Sequence, residues 1–217
     1  MNLKGVVFDF NGTLFWDTHL HNQAWDIFLE RHSISISDQE KNVKIHGKNN
    51  QDILRGLFPG PISESQVEEY ITEKEGIYQG LCLQSDLELA PGAMEFIGFL
   101  AVNGIPFTIA TASGIENVDF YFKHLELSRY FIFSKVIYND GSFPGKPQPH
   151  IFKKAMDTLG LKGNETLVFE DSVAGIVSAE KAGAGEIIIV DSNREDHSQW
   201  NYQVIKDFNE VNRSLFG

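Results

Sequence analysis

The segment Gly5-Val6-Val7-Phe8-Asp9-Phe10-Asn11-Gly12-Thr13-Leu14 is an apolar run that delivers an aspartate and then an Asn-Gly turn. If the run is a parallel strand, Asp9 lies at its carboxyl end, where open α/β sheets bind their ligands. A carboxylate in that place can attack phosphorus and form an aspartyl-phosphate. The same residues also fit a plain β-hairpin, because Asn-Gly between apolar runs favours a type I′ turn. The remainder of the chain has to separate these two interpretations.

A second segment supplies hydroxyl groups. Residues 106–114 form an apolar run that ends in Thr111 and Ser113, directly before a helical pattern. Hydroxyls and free amides at a strand-to-helix junction can bind an anion. Taken alone, the same side chains could simply cap the following helix.

Two further segments supply charges. Lys146 stands among prolines, which hold it in an extended or turn conformation, and residues 166–172 are an apolar run that ends in Glu170 and Asp171. Paired carboxylates at a strand end suit Mg²⁺, which takes few protein oxygens. Alone, the lysine could be a solvated charge and the acids the first turn of a helix. The four segments together, in one order, favour a phosphoryl-transfer site over a set of coincidences.

These motifs resemble the haloacid dehalogenase (HAD) superfamily, and within it the phosphatases and phosphomutases similar to β-phosphoglucomutase. The resemblance extends over residues 4–190 and includes Thr111-Ala112-Ser113 and Phe169-Glu170-Asp171-Ser172-Val173-Ala174-Gly175. It implies a Rossmann-like α/β core. It also implies that Asp9 is the nucleophile, that Thr111 binds the transferring phosphoryl group, and that Lys146 offsets their charge. Under the same resemblance, the Mg²⁺ ligands are Asp9, the backbone carbonyl of Asn11, Glu170 and Asp171.

Asn11 departs from the family pattern, which has a second aspartate two residues after the nucleophile. That aspartate protonates the leaving oxygen and later activates water, whereas an amide can do neither at neutral pH. General acid–base help is worth ~10²–10⁴-fold, so the loss predicts a slow enzyme rather than a dead one. Three interpretations stay open: a sluggish or repurposed enzyme, an engineered substitution, or a site that binds phosphate without turnover.

The order of elements predicts an α/β fold with a parallel sheet and helices on both faces. Strand-like segments at 5–9, 106–111, 135–138, 166–169 and 186–190 alternate with helical patterns at 92–103, 116–124, 149–159 and 172–182. Helical patterns at 18–31, 37–45, 49–57 and 64–83 fill the stretch after the first strand. We therefore expect a helical cap domain at 17–86, inserted into a core made of 1–16 and 87–217.

The expected cap carries the candidate substrate-binding residues. His21 stands where similar phosphomutases have a histidine at the cap hinge, and Lys74 resembles a cap lysine that faces the active site. The segment His46-Gly47-Lys48-Asn49-Asn50 resembles the cap loop that contacts substrate and makes Lys48 a further candidate, while Ser113 is a candidate from the core side. Asn50 replaces the arginine that phosphoglucomutase-like enzymes offer to a second phosphate, which disfavours a mutase. His21 could equally be a satisfied histidine at a helix start, and Lys74 an exposed lysine.

Composition limits the partners. The 217 residues carry a formal net charge of −12, so nucleic acid and anionic membranes are not expected partners. The single cysteine, Cys82, and the absence of a long apolar run lead us to expect a cytoplasmic protein, monomeric or weakly dimeric.

The expected function is a Mg²⁺-dependent phosphatase acting on a small phosphorylated metabolite such as a sugar phosphate. The alternatives are a β-phosphoglucomutase-like phosphomutase and a non-catalytic phosphometabolite-binding protein.

Overall fold

A computed structural model describes residues 3–45, 48–194 and 196–216, without the side chains of residues 38 and 42. Within these residues, five strands form one sheet in the order β2-β1-β3-β4-β5, and every neighbouring pair is parallel. The strands are β1 (Gly5–Phe8), β2 (Phe107–Ile109), β3 (Thr166–Glu170), β4 (Glu186–Val190) and β5 (Gln203–Ile205). The predicted α/β fold with a parallel sheet is therefore confirmed.

Helices cover both faces of this sheet, because its strands are apolar on both sides. Phe8 and its neighbours on one face pack with α5 (Ala93–Val102) and α6 (Ile115–His124). Val7 and the opposite face pack with α7 (His150–Leu159) and α8 (Val173–Ala182). Side chains of successive strand residues point to opposite faces, so neighbouring apolar residues enter two different cores.

Four helices fill the described part of the stretch between β1 and α5. They are α1 (Thr18–Arg31), α2 (Asp38–Lys44), α3 (Asn50–Leu57) and α4 (Glu64–Cys82). Ser37 and Ser63 each begin a helix with a capping box, in which the serine and the residue three positions later satisfy each other's backbone amides. These helices share a separate apolar core of Trp25, Phe28, Ile45, Ile53, Leu54 and Val67.

One alternative and one expectation from the sequence are wrong. The hairpin alternative fails because β1 pairs in parallel with β2 and β3, and only Gly12 of the Asn-Gly pair has a positive φ, of 80°. The predicted strand at 135–138 is not a strand: residue 135 ends a short 3-10 helix (Phe133–Lys135), and Ile137 makes a single bridge with Ala110. The sequence analysis also missed β5, whose two exposed residues give it little apolar signal.

Among the residues that the structure describes, no helix combines the length and apolarity needed to cross a lipid bilayer.

Candidate active site

The first strand ends at the centre of a buried charge cluster. The backbone N–H of Asp9 donates to the carbonyl of Phe169 at 3.0 Å, so β1 and β3 bring their carboxyl ends to the same edge. Lys146 Nζ lies 2.5 Å from Asp9 Oδ1 and also contacts Glu170. All three side chains are buried. The lysine that the sequence placed among prolines is therefore an internal charge rather than a solvated one.

The two acids that follow β3 complete this cluster. Carboxylate oxygens of Asp9, Glu170 and Asp171 lie within 4.8 Å of one another. Glu170 Oε2 accepts hydrogen bonds from the backbone amides of Asp171 and Ser172 at 2.9 and 2.8 Å. Asp171 Oδ1 accepts one from Thr13 Oγ1 at 3.3 Å. Three carboxyl groups therefore surround one space, and the single charge of Lys146 cannot neutralise all three when they are ionised.

Two glycines make room for these acids. A Cβ on Gly12 would lie 2.0 Å from Asp171 Oδ2, and one on Gly175 would lie 1.7 Å from Glu170 Oε1. Neither carboxylate could keep its position beside a larger residue. The glycine after Asn11 therefore serves a close approach as well as a turn.

The shared burial of these groups changes their pKa values. Burial, together with the charge of Glu170, raises the pKa of Asp9 to about 7 despite the attraction of Lys146. Burial and the neighbouring charges of Glu170 and Asp9 raise the pKa of Asp171 well above its usual value. Burial opposes a charge on Lys146, but the attraction of Asp9 and Glu170 outweighs it and raises the lysine pKa. The site thus disfavours three ionised carboxylates beside one lysine, and a bound cation would relieve that repulsion.

Asn11 connects the loop after β1 to the hydroxyls of Thr111 and Ser113. Its side-chain oxygen accepts hydrogen bonds from Thr111 Oγ1 at 3.2 Å and from Ser113 Oγ at 2.8 Å. Its amide nitrogen donates to Asp17 Oδ2 at 2.6 Å and to the Tyr121 hydroxyl at 2.7 Å. Both the oxygen and the nitrogen of the Asn11 side-chain amide are therefore hydrogen-bonded.

The expected substrate-binding residues face this cluster from the helical layer. Lys74 Nζ lies 2.9 Å from His21 Nδ1 and 3.0 Å from Glu75 Oε1, and Lys74 is buried rather than exposed. The His21 ring stacks on Tyr78 with 3.8 Å between ring centroids. Of the expected contact loop, His46 and Gly47 lie outside the described residues.

A cavity of about 730 Å³ separates the helical layer from the carboxyl edge of the sheet. Its walls include Asp9, Asn11, Ser113, Lys146 and Asp171 on one side and His21, Lys48, Asn50, Lys74 and Glu75 on the other. Buried Trp25, Ile45 and Ile53 also line it. The volume is in the range of small-molecule sites in enzymes.

Residues 3–183 match the family model of haloacid dehalogenase-like hydrolases. The chain belongs to this family. A crystal structure of a HAD hydrolase, family IA, variant 3, from Entamoeba histolytica HM-1:IMSS is 34% identical, covers 99% of this chain and 97% of its own, and superposes with a TM-score of 0.88.

Two other relatives are informative. Hexitol phosphatase A of Escherichia coli (strain K12) is 28% identical over 87% of this chain and 84% of its own length. A β-phosphoglucomutase structure from Clostridium difficile is 21% identical with a TM-score of 0.82, covering 98% of this chain and 94% of that one. At that identity, the second likeness is one of fold. This HAD chain therefore has a phosphatase among its relatives and shares its fold with a phosphomutase.

The sequence missed several polar residues of this HAD site. Asp17 is fully buried and accepts hydrogen bonds from Asn11, from the backbone amide of Gly12 at 3.1 Å and from the hydroxyl of Tyr78. His21 Nε2 lies 3.3 Å from the same carboxylate. Tyr121 and Asn117 enter from α6, the helix that directly follows Ser113. Only Asp17, an acid at the start of a helix, gave a sequence signal, and such an acid is usually a simple cap.

Proposed function

We propose that the protein is a Mg²⁺-dependent phosphatase that hydrolyses a small phosphorylated metabolite, of the sugar-phosphate class, through an aspartyl-phosphate on Asp9. The observation that carries this proposal is the Asp9 carboxylate, which lies 2.5 Å from Lys146 at the wall of a cavity of about 730 Å³. The family membership supports the reaction class, and the name of hexitol phosphatase A supports a carbohydrate-like leaving group.

The donor set fits Mg²⁺. Asp9, Glu170 and Asp171 offer the oxygen ligands that this ion prefers, and they are closely spaced. The backbone carbonyl of Asn11 is the fourth expected protein ligand. When bound, Mg²⁺ supplies charge neutralisation on the phosphoryl oxygens and lowers the electrostatic barrier between two anions.

Each residue of the cluster has a proposed task. Asp9 attacks phosphorus in line with the leaving oxygen, and the resulting acyl phosphate is later cleaved by water. Lys146 donates to the nucleophile and offsets its charge against the incoming phosphate. Thr111 and Ser113 exchange their hydrogen bonds to Asn11 for bonds to the phosphoryl group. Catalysis of this kind is mainly positioning and electrostatics.

Asn11 leaves both halves of the reaction without a side chain that exchanges protons. A sugar leaves as an alkoxide and has to take its proton from water, whereas nitrophenolate needs none, so Asp9 can still attack an aryl phosphate without an acid at position 11. Water that attacks the acyl phosphate does need a base, and an amide cannot take its proton. We therefore expect the phosphorylated Asp9 to persist longer than in relatives with aspartate at this position.

The helical layer completes the proposal. Residues 17–86 form a cap domain over a core of residues 1–16 and 87–217, and the cap excludes bulk water from the reaction. His21, Lys48, Asn50 and Lys74 bind the leaving group from the cap side. All of them line the cavity that also contains Asp9.

The test is a panel of phosphomonoesters with release of inorganic phosphate as the readout. The panel contains p-nitrophenyl phosphate, glycerol 3-phosphate, hexose 6-phosphates and hexitol 6-phosphates, each with and without Mg²⁺. We expect Mg²⁺-dependent release that is lost in Asp9→Asn. Phosphate binding without any release, in the wild type and in Asn11→Asp alike, would favour the non-catalytic binding protein instead.

A further inference from the structure

The carboxylate of Glu75 is the centre of a converging set of donors. Among the described side chains, Asn50 Nδ2 donates to Glu75 Oε1 at 2.6 Å, Lys74 Nζ to the same oxygen at 3.0 Å, and Asn117 Nδ2 to Oε2 at 2.7 Å. The three donors come from α3, α4 and α6, so they converge from separate elements. Such a cluster of two amides and an ammonium group is what an anion requires.

Glu75 itself is a buried anion at the edge of the cavity. Only 8% of its surface is exposed, yet it lines the same cavity as Asp9 and Lys146. Burial opposes its ionisation, but the charges of Lys74 and His21 and the bonds from Asn117 and Asn50 outweigh burial and lower its pKa to about 2. The side chain is therefore charged at neutral pH and occupies the anion position that its neighbours create.

We propose that the Glu75 carboxylate fills the place where a second anionic group of the substrate would bind, and so restricts the cavity to monophosphates with an uncharged leaving group. This inference rests on the proposed function and names its substrate class more narrowly. It also explains why the protein should release phosphate rather than isomerise its substrate. A phosphomutase has to hold a bisphosphate, which the charge of Glu75 disfavours.

Electrostatics and hydrogen bonding act in the same direction. The charge of Lys74 is offset by Glu75, and Asn50 and Asn117 each donate one amide hydrogen to it. A second phosphate would have to displace this carboxylate or lie beside it. Like charges at contact distance in a partly buried site are strongly unfavourable. Specificity of this kind comes from a repulsive group as much as from attractive ones.

The experiment measures binding to two probes, glucose 6-phosphate and glucose 1,6-bisphosphate, by isothermal titration calorimetry with Mg²⁺. Every protein carries Asp9→Asn, so no covalent step follows binding. The test variant is Glu75→Gln, which keeps the shape and removes the charge. The matched control is Glu73→Gln on the same helix, since Glu73 pairs with Arg31 and His32 and does not line the cavity.

We expect the protein with Glu75 intact to bind the bisphosphate no more tightly than the monophosphate. Glu75→Gln should tighten bisphosphate binding at least ~10-fold, about 1.4 kcal/mol, and change monophosphate binding less than about twofold. Glu73→Gln should change neither.

Three results would overturn the inference. They are a bisphosphate preference above about tenfold while Glu75 is intact, an unchanged preference in Glu75→Gln, and an equal response of Glu73→Gln. The first result needs no Glu75 variant, so the inference stays testable if Glu75→Gln does not fold. The proposed function is read separately, from phosphate release by the protein with Asp9 intact. A protein that releases no phosphate yet keeps the expected affinities contradicts the function alone.

Discussion

The side-chain amide of Asn11 donates a hydrogen bond of 2.6 Å to the carboxylate of Asp17. Because an ionised carboxylate only accepts, the nitrogen of Asn11 has to face Asp17 and its oxygen has to face Thr111 and Ser113. An aspartate at position 11 would place two carboxylates at this distance, where both cannot ionise. In this chain, asparagine at position 11 and aspartate at position 17 are therefore complementary.

This complementarity predicts a strong coupling in stability. Asn11→Asp should lower the free energy of unfolding by about 1–3 kcal/mol, because it replaces a part-buried hydrogen bond by a repulsive contact. Asp17→Asn should also destabilise, since in either orientation its new NH2 group would face a donor, either the amide of Asn11 or the backbone N–H of Gly12. The double variant Asn11→Asp/Asp17→Asn restores a donor and an acceptor. Its loss of unfolding free energy should therefore be smaller than the sum of the two single losses by about 0.5–3 kcal/mol. Urea unfolding at pH 7 measures all four proteins, and additive losses would contradict the pairing.

The carboxylate cluster predicts how Mg²⁺ and pH act on stability. The pKa of Asp9 rises from 3.8 to about 7 on folding, so the folded state disfavours ionised Asp9. The stability of the metal-free protein should therefore fall as pH rises from about 4 to about 7. Mg²⁺ needs the ionised form and competes with protons. Thermal unfolding should show a larger rise in Tm with Mg²⁺ at pH 8 than at pH 5, and an equal rise at both would contradict this account.

Asp171→Ala tests the metal site directly. The pKa of Asp171 is raised by burial and by the charges of Glu170 and Asp9, so removing this carboxylate relieves repulsion. We expect the metal-free variant to be as stable as the parent or more stable, and calorimetry should detect no Mg²⁺ binding. Asp140→Ala is the control, because Asp140 pairs with Lys154 on the surface. Unchanged Mg²⁺ affinity in Asp171→Ala would leave these acids as a helix start.

The strand-end residues of the site could be predicted from sequence because each follows its own apolar run. Asp9 and Glu170 end strands that are neighbours in the sheet, and parallel pairing alone brings them together. The strand expected at 135–138 failed for the opposite reason. Its apolar residues Val136 and Ile137 are buried, but the backbone makes only one bridge to the sheet. A buried segment without strand pairing has the same apolar sequence pattern as a buried strand, so the pattern could not distinguish them.

The residues that link the helical layer to the core could not be predicted. Glu75 follows Lys74 in a helix rich in acids, so its sequence resembles a solvated face, and only the approach of α3 and α6 makes it a buried anion. Asp17 is similar, since its partner Tyr78 lies far along the chain. Long-range polar contacts of this kind have no period that a sequence pattern could reveal.

Asn11 also predicts a burst in the reaction with p-nitrophenyl phosphate. Nitrophenolate leaves without a proton, so Asp9 should be phosphorylated quickly, whereas hydrolysis of the acyl phosphate lacks a base. Rapid mixing should release nearly one nitrophenolate per active site before a slow steady rate. In Asn11→Asp, the steady rate should rise by ~10²–10⁴-fold and the burst should shrink. In the double variant Asn11→Asp/Asp17→Asn, the steady rate should rise further. Asp9→Asn should give no burst, and a parent protein with steady turnover but no burst would show that water is activated by another residue.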